Sequence, residues 1–442
     1  MKRLVTDQLG SWARSERRKP LLLRGARQVG KTWAVTDFGA NHFDGRLRAL
    51  DLEKRRDLHP IFADDLTATR MLSQLELALD ARIEPGRDVL FLDEIQACPR
   101  ALVALRYFYE ELPELHVIAA GSLIEFALGR LSFPVGRVQF LNVYPMAFLE
   151  FLWACSHDHA AEIVQRGPAP LDNVTHDLML DRLREYLFVG GLPEAVRLFS
   201  ESRLMRDAFL AQGEVLEAYR ADFGKYAPRV SRDTLDEVLT SVAGAVGSQI
   251  KFSNLAEGPT IPTIKNAFTL LERAQVVHRV AAVKHVGLPL GAGTSSRRFK
   301  AIMVDLSLLH RLSQAPMDSA FAASDLLGIY RGGLAEQFVG QELLAAGDRE
   351  LHYWSRAAKS STAEVDYLAS IHDRIAPVEV KSGAAGRLRS MHQLLLEHPE
   401  CAPGIVLSTR PYAQLPEQCL EFVPLYYAGF LGRFSGEPSA GP

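Results

Sequence analysis

Residues 21–32 read LLLRGARQVGKT, and this stretch decides the fold of the N-terminal part of the chain. The leucines predict a buried strand, and residues 25–32 match G-x-x-x-x-G-K-[ST], the pattern of a phosphate-binding P-loop. Glycines let backbone N–H groups turn toward phosphate oxygens at the positive N-terminus of the helix that follows. The lysine of this pattern reaches the β- and γ-phosphates, and the threonine hydroxyl holds Mg²⁺. An ordinary strand–turn–helix is the alternative interpretation. The predicted binding residues are Gly25, Ala26, Arg27, Gln28, Val29, Gly30, Lys31 and Thr32.

An acidic pair follows a second apolar run. Residues 88–94 read DVLFLDE, and a continuous apolar run predicts a strand buried on both faces, as in a parallel sheet. Such sheets bind ligands beyond the carboxyl ends of their strands, which is where Asp93 and Glu94 fall. We predict that Asp93 holds Mg²⁺ and that Glu94 orients and activates the attacking water. A helix N-cap at Asp93 is the alternative.

A third apolar run, HVIAAGS at 116–122, ends in Ser122, a position suited to sensing the γ-phosphate or the water. The pattern then predicts a helix over 123–131 and a strand over 138–143. Arg137 lies at the surface end of that strand, where in oligomeric ATPases an arginine of one subunit reaches the phosphate of its neighbour. We therefore predict a homo-oligomer, with a ring as one arrangement. Arg130 is the second candidate for this role, and a surface salt bridge of Arg137 is the alternative.

Length and composition bound the class of protein. At 442 residues the chain is too long for one ordinary core, so several domains are expected. The hydrophobic fraction of 48% and the charged fraction of 23% are typical of soluble globular proteins. A net charge of -3 gives no global signature of nucleic-acid binding, so such a contact needs a local patch. The cysteines lack C-x-x-C spacing and no run has the length of a membrane span, which predicts a cytoplasmic protein with no membrane partner.

Four short motifs carry a resemblance to a known family. They are the P-loop, DEIQ at 93–96, GS at 121–122, and GR at 136–137 with YPMAF at 144–148. Together they resemble the prokaryotic AAA+ ATPases that are often described only as ATP-binding proteins. The resemblance implies ATP as the nucleotide and ATP hydrolysis as the activity. It also implies a C-terminal domain of unknown function that is similar to PD-(D/E)XK nucleases.

The middle of the chain changes pattern. Residues 146 to about 225 have helical periodicity, with a predicted loop over 157–173 and a break at GGLP, residues 190–193. A helical lid over the nucleotide is expected there, with Arg197 as a candidate second sensor. Residues 231–313 predict helices followed by two strands, the order of a winged helix.

Positive charge flanks the predicted wing, and its residues are Lys284, Arg297, Arg298 and Lys300. In a winged helix, residues 260–268 would form the helix that enters the groove of DNA, and the flanking charge would meet DNA phosphates. A solvated hairpin and a protein–protein surface stay open as alternatives. Nucleic acid is therefore a predicted partner, with DNA favoured.

The C-terminal part combines acidic residues with strand patterns. A helix over 333–346 carries Glu336, and strands are predicted over 351–354, 364–369 and 377–380. Alternation places Glu379 and Lys381 on one face of a strand, with Asp366 opposite on its neighbour. Carboxylates that hold Mg²⁺ or Mn²⁺ beside a lysine are the composition that metal-assisted phosphodiester cleavage requires. The resemblance to PD-(D/E)XK enzymes assigns Glu336, Asp366 and Glu379 to the metal and Lys381 to catalysis; a surface ion pair is the alternative.

These observations predict a multidomain α/β protein. Its parts are an AAA+ P-loop core at 1–150, a helical lid at 151–230, a winged-helix-like domain at 231–313, a restriction-endonuclease-like domain at 314–433 and a disordered tail at 434–442. Two functions follow. One is an ATPase whose nucleotide state controls a metal-dependent nuclease. The other is an ATP-driven switch or assembly factor whose last domain binds DNA or protein without cutting.

Overall fold

The computed structural model describes residues 1–63, 65–128, 136–226, 230–284, 286–287, 290–313, 332–347, 350–358, 361–371, 374–382 and 388–431. The chain divides into two compact units, Lys2–Tyr144 and Pro145–Pro442, with Met1 grouped with the second.

The first unit is an α/β sheet of five strands with helices between them. Its elements are α1 Val5–Arg14, β1 Leu21–Arg24, α2 Lys31–His42, β2 Leu47–Asp51, α3 Ala68–Leu79, β3 Val89–Asp93, α4 Pro99–Glu111, β4 His116–Gly121, α5 Ile124–Leu128 and β5 Gln139–Asn142. The strand order is β2-β3-β4-β1-β5, and every pairing is parallel. The continuous apolar runs of β3 and β4 are buried along their whole length, as strands covered on both faces must be.

Parallel pairing brings three sequence motifs to one edge of this sheet. The P-loop follows β1, the acidic pair begins at the last residue of β3, and Ser122 follows β4 directly. The register places the end of β1 beside the end of β4, with Arg24 opposite Gly121. The strand predicted over 138–143 forms as β5, while the helix predicted over 123–131 is described only as far as residue 128.

The second unit begins with helices. They are α6 Phe148–Ala154, α7 Asp158–Arg166, α8 Asn173–Val189, α9 Pro193–Ser202 and α10 Met205–Tyr226. The prediction of a loop over 157–173 is wrong for most of that stretch, because α7 occupies it. Asp158 in the first turn and Arg166 in the last complement the helix dipole, and Ala161 and Val164 are buried. This apolar face was too short to stand out as a periodic pattern.

A tight backbone contact separates α8 from α9, at the predicted break. Gly190 has a φ of +72°, and a Cβ on Gly191 would lie 2.1 Å from the carbonyl oxygen of Met146. The Met146 N–H donates to the Gly191 carbonyl at 2.6 Å, and the Gly191 N–H donates to Asp305 Oδ2 at 2.7 Å. Glycine is therefore required at this junction.

The elements predicted for a winged helix are present in order. They are α11 Arg232–Gly244, a short 3₁₀ helix at Phe252–Asn254, α12 Ile261–Arg273, β6 Val277–Val283 and β7 Thr294–Met303, followed by α13 Leu306–Leu312. The β6–β7 hairpin is antiparallel. That these elements form a DNA-binding winged helix stays a prediction.

The remaining elements complete one large sheet. They are α14 Gly333–Ala346, β8 Leu351–Ala358, β9 Ser361–Ile371, β10 Arg374–Val380, α15 Arg389–Glu397, β11 Gly404–Ser408, β12 Ala413–Leu415, β13 Leu420–Pro424 and α16 Ala428–Leu431. The strand order is β12-β13-β11-β10-β9-β8-β6-β7, and β6 pairs with β8 in parallel. The hairpin predicted as a separate wing is thus part of the C-terminal sheet, and the boundary predicted between 313 and 314 falls inside one sheet. The predicted tail at 434–442 lies outside the described residues.

Candidate active site of the N-terminal unit

The loop between β1 and α2 has the backbone that its glycines permit. Gly30 has a φ of +89° and Gln28 a φ of 60°, and α2 begins at the next residue after Gly30. A Cβ on Gly25 would lie 2.2 Å from the carbonyl oxygen of Val143, the residue after the neighbouring strand β5. The loop is therefore held in a fixed conformation that ends at a helix N-terminus, the arrangement that binds phosphate.

Lys31 lies folded into this loop. Its Nζ donates to the carbonyl oxygens of Gly25 at 2.9 Å and Ala26 at 2.7 Å, and the residue is buried. Burial lowers the pKa of Lys31 to about 8, although the carboxylates of Glu94 and Asp93 oppose the shift. An anionic phosphate beside the ammonium would offset that desolvation, which is the role expected of a P-loop lysine.

Thr32 and Asp93 are in direct contact. The Thr32 hydroxyl donates to Asp93 Oδ2 at 2.7 Å, and Asp93 Oδ1 accepts from the Glu94 N–H at 3.0 Å. A hydroxyl and a carboxylate are oxygen ligands of the kind that Mg²⁺ prefers, with its remaining positions filled by water and phosphate. These residues therefore fit Mg²⁺, and the two motifs, 61 positions apart in the chain, form one site.

Glu94 accepts a hydrogen bond from Gln96, a residue with no predicted role. Glu94 has a φ of 48°, in the left-handed region that side chains rarely adopt, and Gln96 Nε2 donates to Glu94 Oε2. A Cβ on Gly121 would lie 1.9 Å from Gln96 Oε1, so the glycine leaves room for this amide. The only sequence signal for Gln96 was its place in DEIQ, because the contact depends on how the turn after β3 folds.

Ser122 lies at the same edge of the sheet. The residue is 6% exposed, and its Oγ is buried with no hydrogen-bond partner among the residues that the structure describes. A buried hydroxyl that lacks a partner carries a free-energy penalty, which a ligand oxygen or a water would remove. This position is compatible with the sensing role of Ser122, which stays a prediction.

The arginine candidates differ in their surroundings. Arg137 Nε donates to Glu110 Oε1 at 2.9 Å, and its side chain is 48% exposed. Within one chain it therefore forms the surface salt bridge that was the alternative prediction. Arg197 forms exposed ion pairs with Glu194 and Glu201 on its own helix. Arg130 lies outside the described residues.

Four carboxylates and two lysines meet in the C-terminal unit. Lys300 Nζ lies 2.5 Å from Glu364 Oε1, 3.0 Å from Glu336 Oε2 and 3.3 Å from Asp366 Oδ1. Lys381 Nζ donates to Glu379 Oε1 at 2.6 Å, and the Val380 N–H donates to Asp366 Oδ2 at 2.9 Å. The structure thus brings together all the predicted acids and Lys381: the pairing of β9 with β10 brings Asp366 close to Glu379 and Lys381, and Lys300 links Glu336 to Asp366.

Burial and neighbouring charges shift the pKa values of the titratable side chains in this cluster. Burial, with the Asp366 carboxylate, raises the pKa of Glu336 to about 8 and that of Glu379 to about 7. Burial alone would lower the pKa of Lys300, but Asp366, Glu336 and Glu364 raise it well above its usual value. The lysine is therefore a fixed positive charge among the carboxylates.

The cluster does not fit the predicted metal site as it stands. A lysine ammonium occupies the point where three carboxylates converge, and among the described residues no group of three or more His, Cys, Asp or Glu is arranged to hold a metal ion. The assignment of Glu336, Asp366 and Glu379 to Mg²⁺ or Mn²⁺ is not supported by this geometry. The sequence analysis assigns Lys300 to the predicted wing, and the sequence gives no signal for its contact with Asp366, which lies 66 positions away.

One of the positively charged residues that were predicted to flank the wing is buried. Lys300 is 3% exposed, so the prediction that it meets DNA phosphates is wrong. Lys284 is exposed, and Arg298 Nη1 donates to Ser355 Oγ at 3.4 Å. The Arg297 side chain lies outside what the structure describes. On α12, Lys265 and Asn266 are exposed.

Within the described part of the chain, every helix is too short or too polar to cross a lipid bilayer.

Comparisons with known proteins divide the chain into three matched parts. Residues 17–152 match the family model described as an AAA domain. Residues 180–319 and 331–427 match two domains of unknown function, DUF8612 and DUF4143. No curated protein matches the chain significantly.

Solved structures are similar at low identity. A Walker-type ATPase of Pyrococcus abyssi is 16% identical over 70% of this chain and 94% of that chain, with a TM-score of 0.43. Drosophila ORC bound to DNA is 14% identical over 70% and 93%, with a TM-score of 0.28. The Holliday junction branch migration motor RuvB of Thermotoga maritima is 18% identical over 62% and 85%, with a TM-score of 0.25. The AAA domain match covers the residues that carry the P-loop and the acidic pair, so this part of the chain is similar to AAA domains.

Proposed function

We propose that this chain binds ATP with Mg²⁺ at the carboxyl edge of the N-terminal sheet and hydrolyses it to ADP and phosphate. The observation that carries the proposal is the contact of 2.7 Å between Thr32 Oγ1 and Asp93 Oδ2. It joins the P-loop to the acidic pair, and both are needed to hold a metal–triphosphate complex. The AAA domain match over the same residues supports this assignment.

Each residue of the site has a role in hydrolysis. Lys31 would leave its two loop carbonyls and donate to the β- and γ-phosphates, and Thr32 and Asp93 would hold Mg²⁺, which neutralises phosphate charge when bound. Glu94 would accept the proton of the water that attacks the γ-phosphorus, while the bond to the β-phosphate oxygen breaks. Ser122 would contact the γ-phosphate or the water. Arg137 would supply positive charge to the ATP of a neighbouring subunit in a homo-oligomer.

Two substitutions test the ATPase directly. Lys31→Ala should weaken ATP binding by about tenfold or more, because a charged hydrogen-bond donor is lost. Glu94→Gln should leave binding intact and lower turnover by about a hundredfold, because a general base is lost. Calorimetry and a phosphate-release assay measure the two effects, with exposed Lys54→Ala as the control for lysine removal. Full ATP affinity in Lys31→Ala, or full turnover in Glu94→Gln, would contradict these roles.

The C-terminal unit is proposed to respond to the nucleotide state. Of the two functions open from the sequence, the Lys300 contacts favour a switch or assembly factor that binds its partner without cutting. DNA incubated with Mg²⁺ or Mn²⁺, with and without ATP, separates the two functions. We expect no cleavage product that depends on Glu379. If the natural chain cleaves DNA and Glu379→Ala does not, the metal-dependent nuclease is the correct function of the two.

Nucleic acid is the partner we propose for the middle of the chain. Lys265 and Asn266 project from α12 to solvent, and Lys284 is exposed at the end of β6. Positive side chains that contact phosphates make binding weaken as salt increases. Fluorescence anisotropy with labelled DNA at several salt concentrations tests this. Affinity that does not fall with salt would exclude phosphate recognition.

We also propose a cytoplasmic location, as composition suggests.

A further inference from the structure

Arg3 contacts the P-loop from the segment that precedes α1. The residue is 4% exposed, and its Nη1 donates to the carbonyl oxygen of Val29 at 3.0 Å. Its Nη2 donates to the carbonyl oxygen of Tyr144 at 2.8 Å. One guanidinium group therefore joins the loop between β1 and α2 to the chain that follows β5.

The helix that follows Arg3 fixes its position. The Thr6 N–H donates to the Arg3 carbonyl oxygen at 3.2 Å in the turn where α1 begins, and α1 buries Val5, Leu9 and Trp12. The same helix packs against α2, which begins directly after the P-loop. Because a guanidinium is a planar fork, its two hydrogen bonds then fix the direction of both carbonyl groups.

The contact with Val29 also sets the direction of the next N–H group. The peptide bond between Val29 and Gly30 is trans, and in a planar trans peptide the carbonyl oxygen and the N–H point in opposite directions. Since the Val29 oxygen is directed at Arg3, the Gly30 N–H is directed at the other face of the loop. Gly30 immediately precedes α2, so this N–H belongs to the set that binds phosphate at a helix N-terminus.

The charge of Arg3 strengthens the same N–H group as a donor. A hydrogen bond from a guanidinium polarises the Val29 carbonyl, and the N–H of that peptide group then becomes a better donor. Lys31 behaves differently, because its Nζ donates to the Gly25 and Ala26 carbonyls and would leave them when ATP binds. The bond from Arg3 to Val29 would persist with and without the nucleotide.

We propose that Arg3 is a positioning residue for ATP binding, which holds the Val29 carbonyl away from the nucleotide so that the Gly30 N–H donates to a phosphate oxygen. In this role Arg3 acts through the loop rather than through a contact with ATP. The inference rests on the proposed ATP site, and it adds to that site a residue that lies outside both the P-loop and the acidic pair.

Calorimetry with ATP and Mg²⁺, together with steady-state kinetics, tests this role in the full-length chain. Arg3→Met removes the donors and keeps an unbranched side chain. It should weaken ATP binding and raise KM by about tenfold, with kcat within about twofold of the natural value, because Asp93 and Glu94 are unchanged. Arg17→Met is the control: it removes an exposed arginine between α1 and β1, and both KM and kcat should stay as in the natural chain.

The separate measurement of KM and kcat distinguishes positioning from a contribution to folding alone. If Arg3 only stabilised the fold, Arg3→Met would contain fewer folded chains, so the apparent kcat would fall while KM stayed constant. That result would overturn the proposal. Arg3→Lys provides a second variant, since a single ammonium does not reproduce the fork, and its KM should rise by about threefold. If no variant of Arg3 that folds has a raised KM, the proposal is wrong.

Lys31→Ala, titrated in parallel, separates the failure of this proposal from the failure of the proposed function. If Lys31→Ala loses ATP affinity while folded Arg3→Met keeps that of the natural chain, only the role of Arg3 is wrong. If the natural chain and Lys31→Ala bind ATP equally, the ATP site itself is wrong, and the role of Arg3 is wrong with it.

Discussion

The position of a single amide determines how Glu94 is presented at the edge of the sheet. Gln96 Nε2 donates to Glu94 Oε2, and Gln96 Oε1 lies against Gly121, next to Ser122. Gln96 therefore links the proposed base to the proposed sensor, at the ends of β3 and β4. Glu94 has a left-handed φ of 48°, a backbone conformation that residues other than glycine rarely adopt, and the hydrogen bond from Gln96 orients its carboxylate.

We predict that Gln96→Ala lowers the turnover of ATP by about tenfold with little change in KM, because the base loses its orientation while Lys31 and Thr32 still bind the nucleotide. Steady-state kinetics separate kcat from KM. Gln74→Ala is the matched control, since Gln74 is an exposed glutamine of α3 that bonds to Arg70. A rise in KM at constant kcat would show that Gln96 contributes to binding instead.

Individual site residues were predictable from the sequence to different degrees. The P-loop was recognised because its glycines are imposed by local backbone geometry, and the Thr32–Asp93 contact confirms that both motifs meet. Lys300 was misjudged, because nothing in the local sequence distinguishes a lysine that faces solvent from one that faces three acids on other elements. Contacts between distant segments decide such cases.

At the scale of elements, the junction between α8 and α9 shows how closely two segments pack. The Gly191 carbonyl accepts from Met146 N–H at 2.6 Å, so the backbone before α6 runs alongside this junction. Any side chain at residue 191 would have to displace main chain, which cannot move as a flexible side chain can.

Gly191→Ala should therefore lower the free energy of unfolding by about 3 kcal/mol, because its Cβ would overlap the Met146 carbonyl oxygen. Gly244→Ala is the control: Gly244 lies at the exposed end of α11 with no atom within 4 Å of a Cβ, and alanine there should be neutral or stabilising by up to about 1 kcal/mol. Urea unfolding followed by circular dichroism measures both. Equal midpoints for the two variants would mean that the backbone at 191 adjusts.

It was easier to predict whether a segment forms a helix or a strand than to predict which strands pair with each other. The strands β1, β3, β4 and β5 and the helix α12 form near their predicted positions, and two strands follow α12 as predicted, because apolar periodicity reports local burial. The parallel pairing of β6 with β8 was not predicted, since strand order depends on tertiary packing and has no local signature. Because β6 pairs with β8, the hairpin predicted as a wing is part of the larger sheet.

At the scale of the whole molecule, Arg137 is the residue that we propose acts between subunits. Its partner in the single chain is Glu110, which also accepts from Arg106, so this arginine is held at the surface by an exposed pair. Exposed pairs contribute little to stability, typically below about 1 kcal/mol. The phosphate of a neighbouring subunit would therefore compete easily with Glu110 for the guanidinium.

Mixing two inactive variants tests whether Arg137 acts between subunits. Arg137→Ala retains an intact P-loop, and Lys31→Ala retains Arg137, so a mixed oligomer contains interfaces with one functional residue of each kind. In an equal mixture with random assembly, such interfaces are about a quarter of the total, and ATP hydrolysis should approach about a quarter of that of the natural chain. Phosphate release is measured over a range of mixing ratios. Activity that never exceeds the sum of the separate variants, in samples shown by light scattering to form mixed oligomers, would assign Arg137 to the surface salt bridge alone.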